Sequence, residues 1–421
     1  MEEALTVDLT SFETALYHVG KIIGLVTFDK RNNKIYPANL RGKLYSSIIL
    51  IMQLCSCTYV GMHLDAFALS PSAIIIFLTF APLVTTTVYA GLLVAFKSDK
   101  IIESFCRMKL IDDQIKSLKI GGGECEKMSK YLGAKVIVSN LLVATTEVSL
   151  TYILHPDIDV LTRMVHGILM TATHLTIRNV LFIFTETMNC ITRRFAFLNE
   201  KLRNMFLKVS DTVHRPVYRT SGAFLAPENE RIPTTADNEG AGKRVTTVDP
   251  ESGDTQLYKK RIKLILKIHQ DLTKLVESTI NLYEILIFFR SVEHLGRAFK
   301  NFYFISHMLK GPKTETIYVH LTARLAQCTL IFITEISMIV DSCTSTCETG
   351  NKTNTVLYDV WCDFRRDARK LKSEFLMFST TLLQKPVAVS AFNFIPVDYS
   401  VIFEIICVLI GYVILIVQLD L

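Results

Sequence analysis

One tryptophan, no Cys-x-x-Cys pair and charge on only 20% of 421 residues define what this sequence does without. The ten cysteines are scattered, and Cys343 and Cys347 have no second pair or histidine nearby, which excludes the common zinc frameworks. They read as reduced structural thiols, and neither a metal nor another cofactor is expected. "GGG" at Gly121–Gly123 is not followed by Gly-Lys-Ser/Thr, so it reads as a flexible turn and not a phosphate loop. His-Glu-x-x-His and Gly-x-Ser-x-Gly are both absent, and the chain is not expected to be an enzyme. The net charge of +6 sits in loops beside apolar runs without an RNA- or DNA-reading motif, so nucleic acid is not an expected partner. The opening Met1-Glu2-Glu3 lacks a basic region followed by a short apolar core. The expectation is that the first span, and not a cleaved leader, inserts the chain.

Apolar residues are what the sequence has in abundance. They make up 50% of the chain, and the mean hydropathy is +0.32, which points to several membrane spans. Crossing a bilayer takes about 20 mostly apolar residues. Tyr45–Ala66, Ser72–Phe96, Lys135–Leu154, Ile317–Val340 and Tyr399–Leu419 meet that requirement. Leu161–Met188 is interrupted by His166, His174 and Arg178, and Thr279–Leu309 has a polar middle. The expected fold is an all-α membrane protein of seven transmembrane helices.

Loop charge gives the orientation, because cytoplasmic loops collect Lys and Arg. Residues 1–44, 97–134, 189–278 and 341–398 hold 37 of them, whereas the alternate segments hold Arg163 at a span edge, Lys310 and Lys313. With the two longest loops set aside the balance is still 14 to 3. This places the N-terminus in the cytoplasm and the C-terminus outside, opposite to a G-protein-coupled receptor; Asp-Arg-Tyr and Asn-Pro-x-x-Tyr are also missing. No repeat of the kind that builds secondary transporters is evident. The single sequon, Asn351-Lys352-Thr353, is expected on the cytoplasmic side and therefore unglycosylated.

The organisation that follows has a cytoplasmic N-terminal segment (1–44), transmembrane helices one to six with any ligand pocket (45–340), a cytoplasmic helical region (341–398) and a last span (399–421). Within it, Val209–Gln256 is rich in Pro, Gly, Thr and charge and reads as a disordered insert. Amphipathic stretches on either side, Ile191–Leu207 and Leu257–Leu275, read as cytoplasmic extensions of the fourth and fifth spans. From Leu357 apolar residues recur at Trp361, Phe364, Ala368, Leu371, Phe375, Phe378 and Leu382, in steps of four and three. That spacing predicts one 26-residue heptad helix of about 39 Å. Its seam would bury within the subunit or between subunits.

"FSTTLLQKPVAVSAFNFIPVDYSVIFEIICVLIGYVILIVQL" (Phe378–Leu419) resembles the C-terminal signature of insect gustatory receptors. Leu382, Leu383, Pro386, Phe392, Asp398, Tyr412 and Gln418 fit that pattern; Gly411 and Leu419 replace its threonine and phenylalanine. "DSCTSTCETGNKTNTVLYDV" (Asp341–Val360), "ALYHVGKIIGLVTF" (Ala15–Phe28) and "HQDLTKLVESTINLYEILI" (His269–Ile287) are similar to further segments of the family. The resemblance implies a tetramer around a central pore lined by the last helix, forming a cation channel opened by a tastant in the plasma membrane of a sensory neuron. It implies a homotetramer or a heteromer with related receptors, with cations and membrane lipid as the other partners.

Two sets of residues follow. Tyr412, Leu415, Gln418 and Leu419 share one helical face. Spacing alone favours packing against neighbours there, whereas the resemblance implies a pore gated by dewetting at Leu415 and Leu419. In the interrupted spans, Arg290, Glu293, His294 and Arg297 recur at i, i+3, i+4 and i+7, and His174 and Arg178 repeat the spacing; Glu147 and Arg324 are available to pair with them. Ion pairs that hold the bundle together explain these residues as well as a ligand does. The resemblance implies a pocket at Glu147, His174, Glu293, His294, Arg297, Tyr318 and Arg324. The heptad seam offers a subunit anchor at Trp361, Phe364, Leu371, Phe375 and Phe378, with packing inside one subunit explaining it equally well. The lone Trp361 is cytoplasmic, which removes the indole as a sugar-stacking platform and favours bitter or other small organic compounds. The alternatives are a fructose-type sugar receptor of the same family and a seven-helix G-protein-coupled receptor.

Overall fold

The computed structural model describes residues 5–6, 29–31, 34–36, 42–45, 47–52, 54–55, 71–118, 140–146, 148, 160–213, 251–309, 315–363, 372–392 and 395–418. Its main helices are α1 (Pro71–Phe96), α2 (Ser98–Ser117), α3 (Val160–Val213), α4 (Glu251–Leu309), α5 (Glu315–Asp363), α6 (Lys372–Gln384) and α7 (Tyr399–Gln418). α1 and α7 match the second and seventh expected spans to within a residue at each end. Helical pieces also occupy the described parts of the first and third spans, at 42–55 and 140–148. Short strands β1 (Leu5–Thr6), β2 (Asp29–Arg31) and β3 (Lys34–Tyr36) form an antiparallel sheet in the order β1-β3-β2, and β4 (Ser390–Ala391) pairs with β5 (Ile395–Pro396). The fold is an all-α membrane protein with these two small ribbons added.

Three helices set the architecture. α3, α4 and α5 contain 54, 59 and 49 residues, hence lengths of about 80, 88 and 74 Å, against a hydrocarbon core of about 30 Å. More than half of each must therefore lie beyond the bilayer, as the amphipathic extensions led us to expect. α5 lies along α3, α4 lies along α1, and α7 packs on α4 and α5. α5 carries the one described stretch long and apolar enough to cross a bilayer by itself, Ala326–Trp361, whereas the apolar stretches Ala81–Leu93 of α1 and Tyr399–Tyr412 of α7 are shorter.

The extensions pack through heptad seams. Met188, Ile191, Phe195, Leu198, Leu202 and Met205 of α3 are all buried, in alternating steps of three and four, against Ile262, Ile265, Leu272 and Leu275 of α4. Each such side chain taken from water contributes about 1.5–3 kcal/mol. At the centre of this bundle, His269 of α4 lies 5.0 Å from the Phe195 ring and 6.5 Å from that of Phe378 in α6. Its Nε2 meets the Gly350 carbonyl of α5 at 3.1 Å. Asn199 of α3 donates to the Thr349 carbonyl (2.9 Å) and accepts from the Thr353 hydroxyl (2.6 Å). Arg194 of α3 forks onto Asp112 of α2 at 2.8 and 2.6 Å.

Two expectations need correction here. The first is the single 26-residue helix from Leu357 to Leu382. Trp361 and Phe375 would be about 21 Å apart along one helix, yet their ring centroids are 5.4 Å apart, and Ser379 donates to Asn354 at 3.2 Å. α6 therefore runs back antiparallel along the end of α5. The heptad steps are real, but they describe two helices burying one seam against each other and α4: Leu357, Phe375, Phe378 and Leu382 all enter the main core. Phe364 and Leu371 lie outside the described residues. The second correction concerns the insert. α3 reaches Val213 and α4 begins at Glu251, so both ends of Val209–Gln256 are helical, since extending a formed helix adds one hydrogen bond per residue fixed. Residues 214–250 lie outside the described residues.

The C-terminal signature has a structural role residue by residue. After Pro386, Asn351 clamps the backbone of Val387, accepting from its N–H and donating to its carbonyl, both at 2.9 Å. Phe392 takes a left-handed φ of 55°, a conformation held by Glu284, whose carboxylate accepts from the Phe392 N–H at 2.9 Å. Its ring meets Phe288 edge-on at 5.6 Å. Asp398 then caps α7 by accepting from the Ser400 N–H at 2.9 Å.

Candidate functional site

The polar stripe of α4 is buried inside the bundle and faces α3 and α5. Arg290 reaches α5, donating through Nε and NH2 to the two oxygens of Glu335 at 3.0 and 3.2 Å. Its NH1 donates to Glu293 at 2.8 Å. His294 lies 2.7 Å from Glu335 through Nε2; a carboxylate only accepts, so Nε2 carries the proton. Arg178 of α3 approaches the same carboxylate at 3.1 Å. Arg297 pairs with Glu293 at 3.1 Å and donates through NH2 to the His174 ring. Seven ionisable side chains from three helices thus form one continuous network. Such a network is tolerated in a membrane only when its charges are paired with one another.

Beside the network lies a cavity of about 30 Å³ lined by Val143, His174, Arg290, His294, Arg297, Ala298, Cys328, Thr329, Ile331 and Phe332. The lining combines the polar residues His174, Arg290, His294, Arg297, Cys328 and Thr329 with the apolar Val143, Ala298, Ile331 and Phe332. Of the residues expected at a pocket, His174, His294 and Arg297 line it. Glu293 sits behind it, fully buried and paired with Arg290 and Arg297. Glu147 lies outside the described residues, and Tyr318 and Arg324 lie on α5 with side chains outside the described set. Glu335 is the residue that sequence reasoning missed. It is a lone carboxylate in the run "LIFITEISMIV", and the rule that made Arg324 a suspect applied equally to it.

Phe332 connects this cavity to the last helix. One side of its ring faces His294, with centroids 4.8 Å apart. With Ile336 and Val340 it also forms the apolar cluster that receives Val401, Ile402 and Ile405 of α7. A second link lies further along, where Tyr412 packs on Phe299 of α4 at 4.2 Å. The remaining face of α7 is open in the single chain: Phe403, Glu404, Ile406, Cys407, Ile410, Ile414, Leu415 and Gln418 are exposed, and a side chain added at Gly411 would meet nothing within 4 Å. Of the expected pore residues, Leu415 and Gln418 share this open face, Tyr412 is half-buried against α4, and Leu419 lies outside the described residues. Glu404 is a charge on a membrane helix and stands within about 20° of Leu415 around the axis.

Comparison with known proteins adds the following. Residues 14–421 match the family described as 7tm chemosensory receptor. No curated protein matches the sequence. Among solved structures, the insect olfactory receptor OR5 from Machilis hrabei in complex with eugenol superposes with a TM-score of 0.63 at 12% identity, covering 96% of this chain and 97% of that one. The same receptor without that description of a ligand gives a TM-score of 0.61 at 12% identity over the same shares.

Proposed function

The chain belongs to the 7tm chemosensory receptor family, and from that premise we propose that it is a gustatory receptor: a non-selective cation channel of sensory-neuron plasma membrane opened directly by a small organic tastant. The N-terminus is cytoplasmic, and four copies, or this chain with related receptors, surround a pore lined by α7. The observation that carries this reading is the position of Phe332, which belongs at once to the cavity wall and to the apolar seat of α7. A ligand that displaces this ring must repack Val401, Ile402 and Ile405, so occupancy and the position of the last helix are coupled by contact alone. The olfactory receptor of the same fold was solved with eugenol, which supports a small organic ligand here by analogy.

The open face of α7 supports the pore half of the reading. An exposed carboxylate is costly against lipid, and Glu404 shares its face with Leu415 and Gln418, so in an assembly that face meets water. Four copies of Leu415 make an apolar ring that excludes water when closed. Gln418 offers a neutral dipole to passing cations.

The test is whole-cell recording from cells expressing this chain alone across a tastant panel, with G-protein signalling blocked by a non-hydrolysable GDP analogue in the pipette. A tastant-evoked cation current that persists is expected, and Leu415→Ser should produce current at rest. A response that vanishes with the block, or a silent Leu415→Ser channel that still answers tastant, overturns the channel and the pore assignment respectively.

A further inference from the structure

We propose that Glu404 is the ion-sorting residue of the pore: its carboxylate, repeated around the axis, favours divalent over monovalent cations and turns anions away. The inference rests on α7 lining a pore and specifies which of its side chains distinguishes the ions.

The first observation is how the surface of α7 divides. Val401, Ile402 and Ile405 pack on α5, and Tyr412 packs on Phe299 of α4, which accounts for one side of the helix. The exposed remainder has two chemically different sectors. With about 100° of turn per residue, Cys407, Gly411 and Gln418 fall within about 60° of Glu404, all to one side of it. Phe403, Ile406, Ile410 and Ile414, exposed at 47–68%, fill the arc beyond them. The apolar sector suits lipid or a neighbouring subunit. The sector with a carboxylate, an amide, a thiol and a glycine suits water, because an ionised side chain in a span is costly against hydrocarbon.

The second is that charge on this helix is confined to one residue. From Tyr399 to Gln418, Glu404 is the only Asp, Glu, Lys, Arg or His. Among the described residues none pairs with its carboxylate. Leu415 and Gln418 are neutral and treat cations of either valence alike. On this face Glu404 alone can sort ions by charge.

The third is position. Glu404 precedes Leu415 by 11 residues, about 16 Å along the axis, so its ring stands before the gate and not within it. Coulomb energy scales with the charge of the ion, and each carboxylate attracts a divalent cation twice as strongly as sodium at the same distance. Rings of Asp or Glu select cations in this way. A preference exerted by charge alone still lets monovalent cations through, which fits a pore that passes cations broadly.

The experiment measures calcium permeability relative to sodium, from reversal potentials of the tastant-evoked current of the full-length receptor. Glu404→Gln should lower that ratio at least threefold, and Glu404→Asp should keep most of it. Gly411→Asp is an independent arm, since position 411 lies in the same sector and a side chain added there meets nothing within 4 Å. It places a second carboxylate ring before the gate and should raise the ratio, and it decides alone should Glu404→Gln fail to reach the surface. A ratio that moves with neither variant overturns the assignment. Cys407 separates that failure from failure of the pore itself, because its thiol is exposed in the same sector. A cationic methanethiosulfonate in the pipette should reduce the native current and leave Cys407→Ser untouched. If Cys407 reacts in this way and the ratio does not move, α7 lines the pore and Glu404 does not sort the ions. If the reagent affects neither receptor, this sector is not in the pore and the pore reading falls too.

Discussion

Two buried polar clusters occur along the same three helices, roughly 25–37 Å apart by helical rise depending on the helix, and they are made of opposite materials. The one in the helical extensions is neutral: Asn199 of α3, His269 of α4, and Thr349, Gly350 and Thr353 of α5, joined by hydrogen bonds of 2.6 to 3.1 Å. The intramembrane one is charged, with three arginines, two glutamates and two histidines. In the neutral cluster each group is matched by a partner within the shell, and apolar rings close over it. Nothing is left for an outside molecule to improve. The charged cluster has a cavity against it, so a ligand placed there changes its energy. The first arrangement makes a joint, the second a place where binding can do work.

Breaking the charged cluster at its carboxylate should have the largest effect. Glu335 holds Arg178, Arg290 and His294 together, and Glu335→Ala leaves two guanidiniums without it inside the membrane. A cost of about 3–5 kcal/mol is expected, which abolishes surface expression as read by biotinylation. Arg297→Gln sharpens the point, because it changes the most exposed of the three arginines and leaves Glu293 paired with Arg290; its surface level should stay close to wild type. Equal loss from both variants would mean that the network tolerates no change of any sign.

The neutral joint should be less sensitive to chemistry and more sensitive to shape. A Cβ on Gly350 would stand 2.8 Å from Cγ2 of Val387 and 3.5 Å from the Phe195 ring. Gly350→Ala therefore forces α5 away from the Val387 segment that Asn351 clamps, at about 1–3 kcal/mol. A lowered melting temperature of the purified receptor, with tastant sensitivity kept in those molecules that fold, is the expected outcome. A melting temperature equal to wild type would show that the joint is loose enough to accept a methyl group.

How much of this was legible in the sequence differs between the same two regions. The i, i+3, i+4, i+7 stripe of α4 can be read directly because four ionisable residues in a span stand out against apolar neighbours. Its partner Glu335 is one residue in an apolar run and has no period, so only the three-dimensional fold connects it to Arg290. The seam in the extension of α3 follows its heptad steps from Met188 to Met205 because that helix is uninterrupted. The equally regular steps from Leu357 to Leu382 mislead, since periodicity records which face is apolar and is blind to a reversal of the chain between two helices. Asn351 and Gly350 carry no signal of their joint at all: an asparagine and a glycine inside a helix gain meaning only from Val387, 36 residues away.

The smallest expected effect is a pH dependence that belongs to the neutral joint. Burial holds the His269 imidazole below its ordinary value, with the Gly350 carbonyl acting in the opposite direction. Its surroundings are the rings of Phe195 and Phe378 and that carbonyl, so the folded chain keeps the ring neutral while an unfolded chain takes a proton near pH 6.5. The sign follows from linkage: below that pH the unfolded state binds the extra proton, so the contribution of His269 to stability is complete above about pH 6.5 and is drawn down as pH falls toward the lowered folded value. The melting temperature of the purified receptor should therefore decline between pH 7.5 and 5.5 more steeply than that of His269→Gln. Gln provides an N–H for the Gly350 carbonyl and does not titrate. The comparison is of slopes and not of absolute melting temperatures, because glutamine lacks the ring that His269 packs against Phe195 and Phe378. Parallel slopes would show that water reaches His269 in the folded state, and the joint would then be wetter than its packing implies.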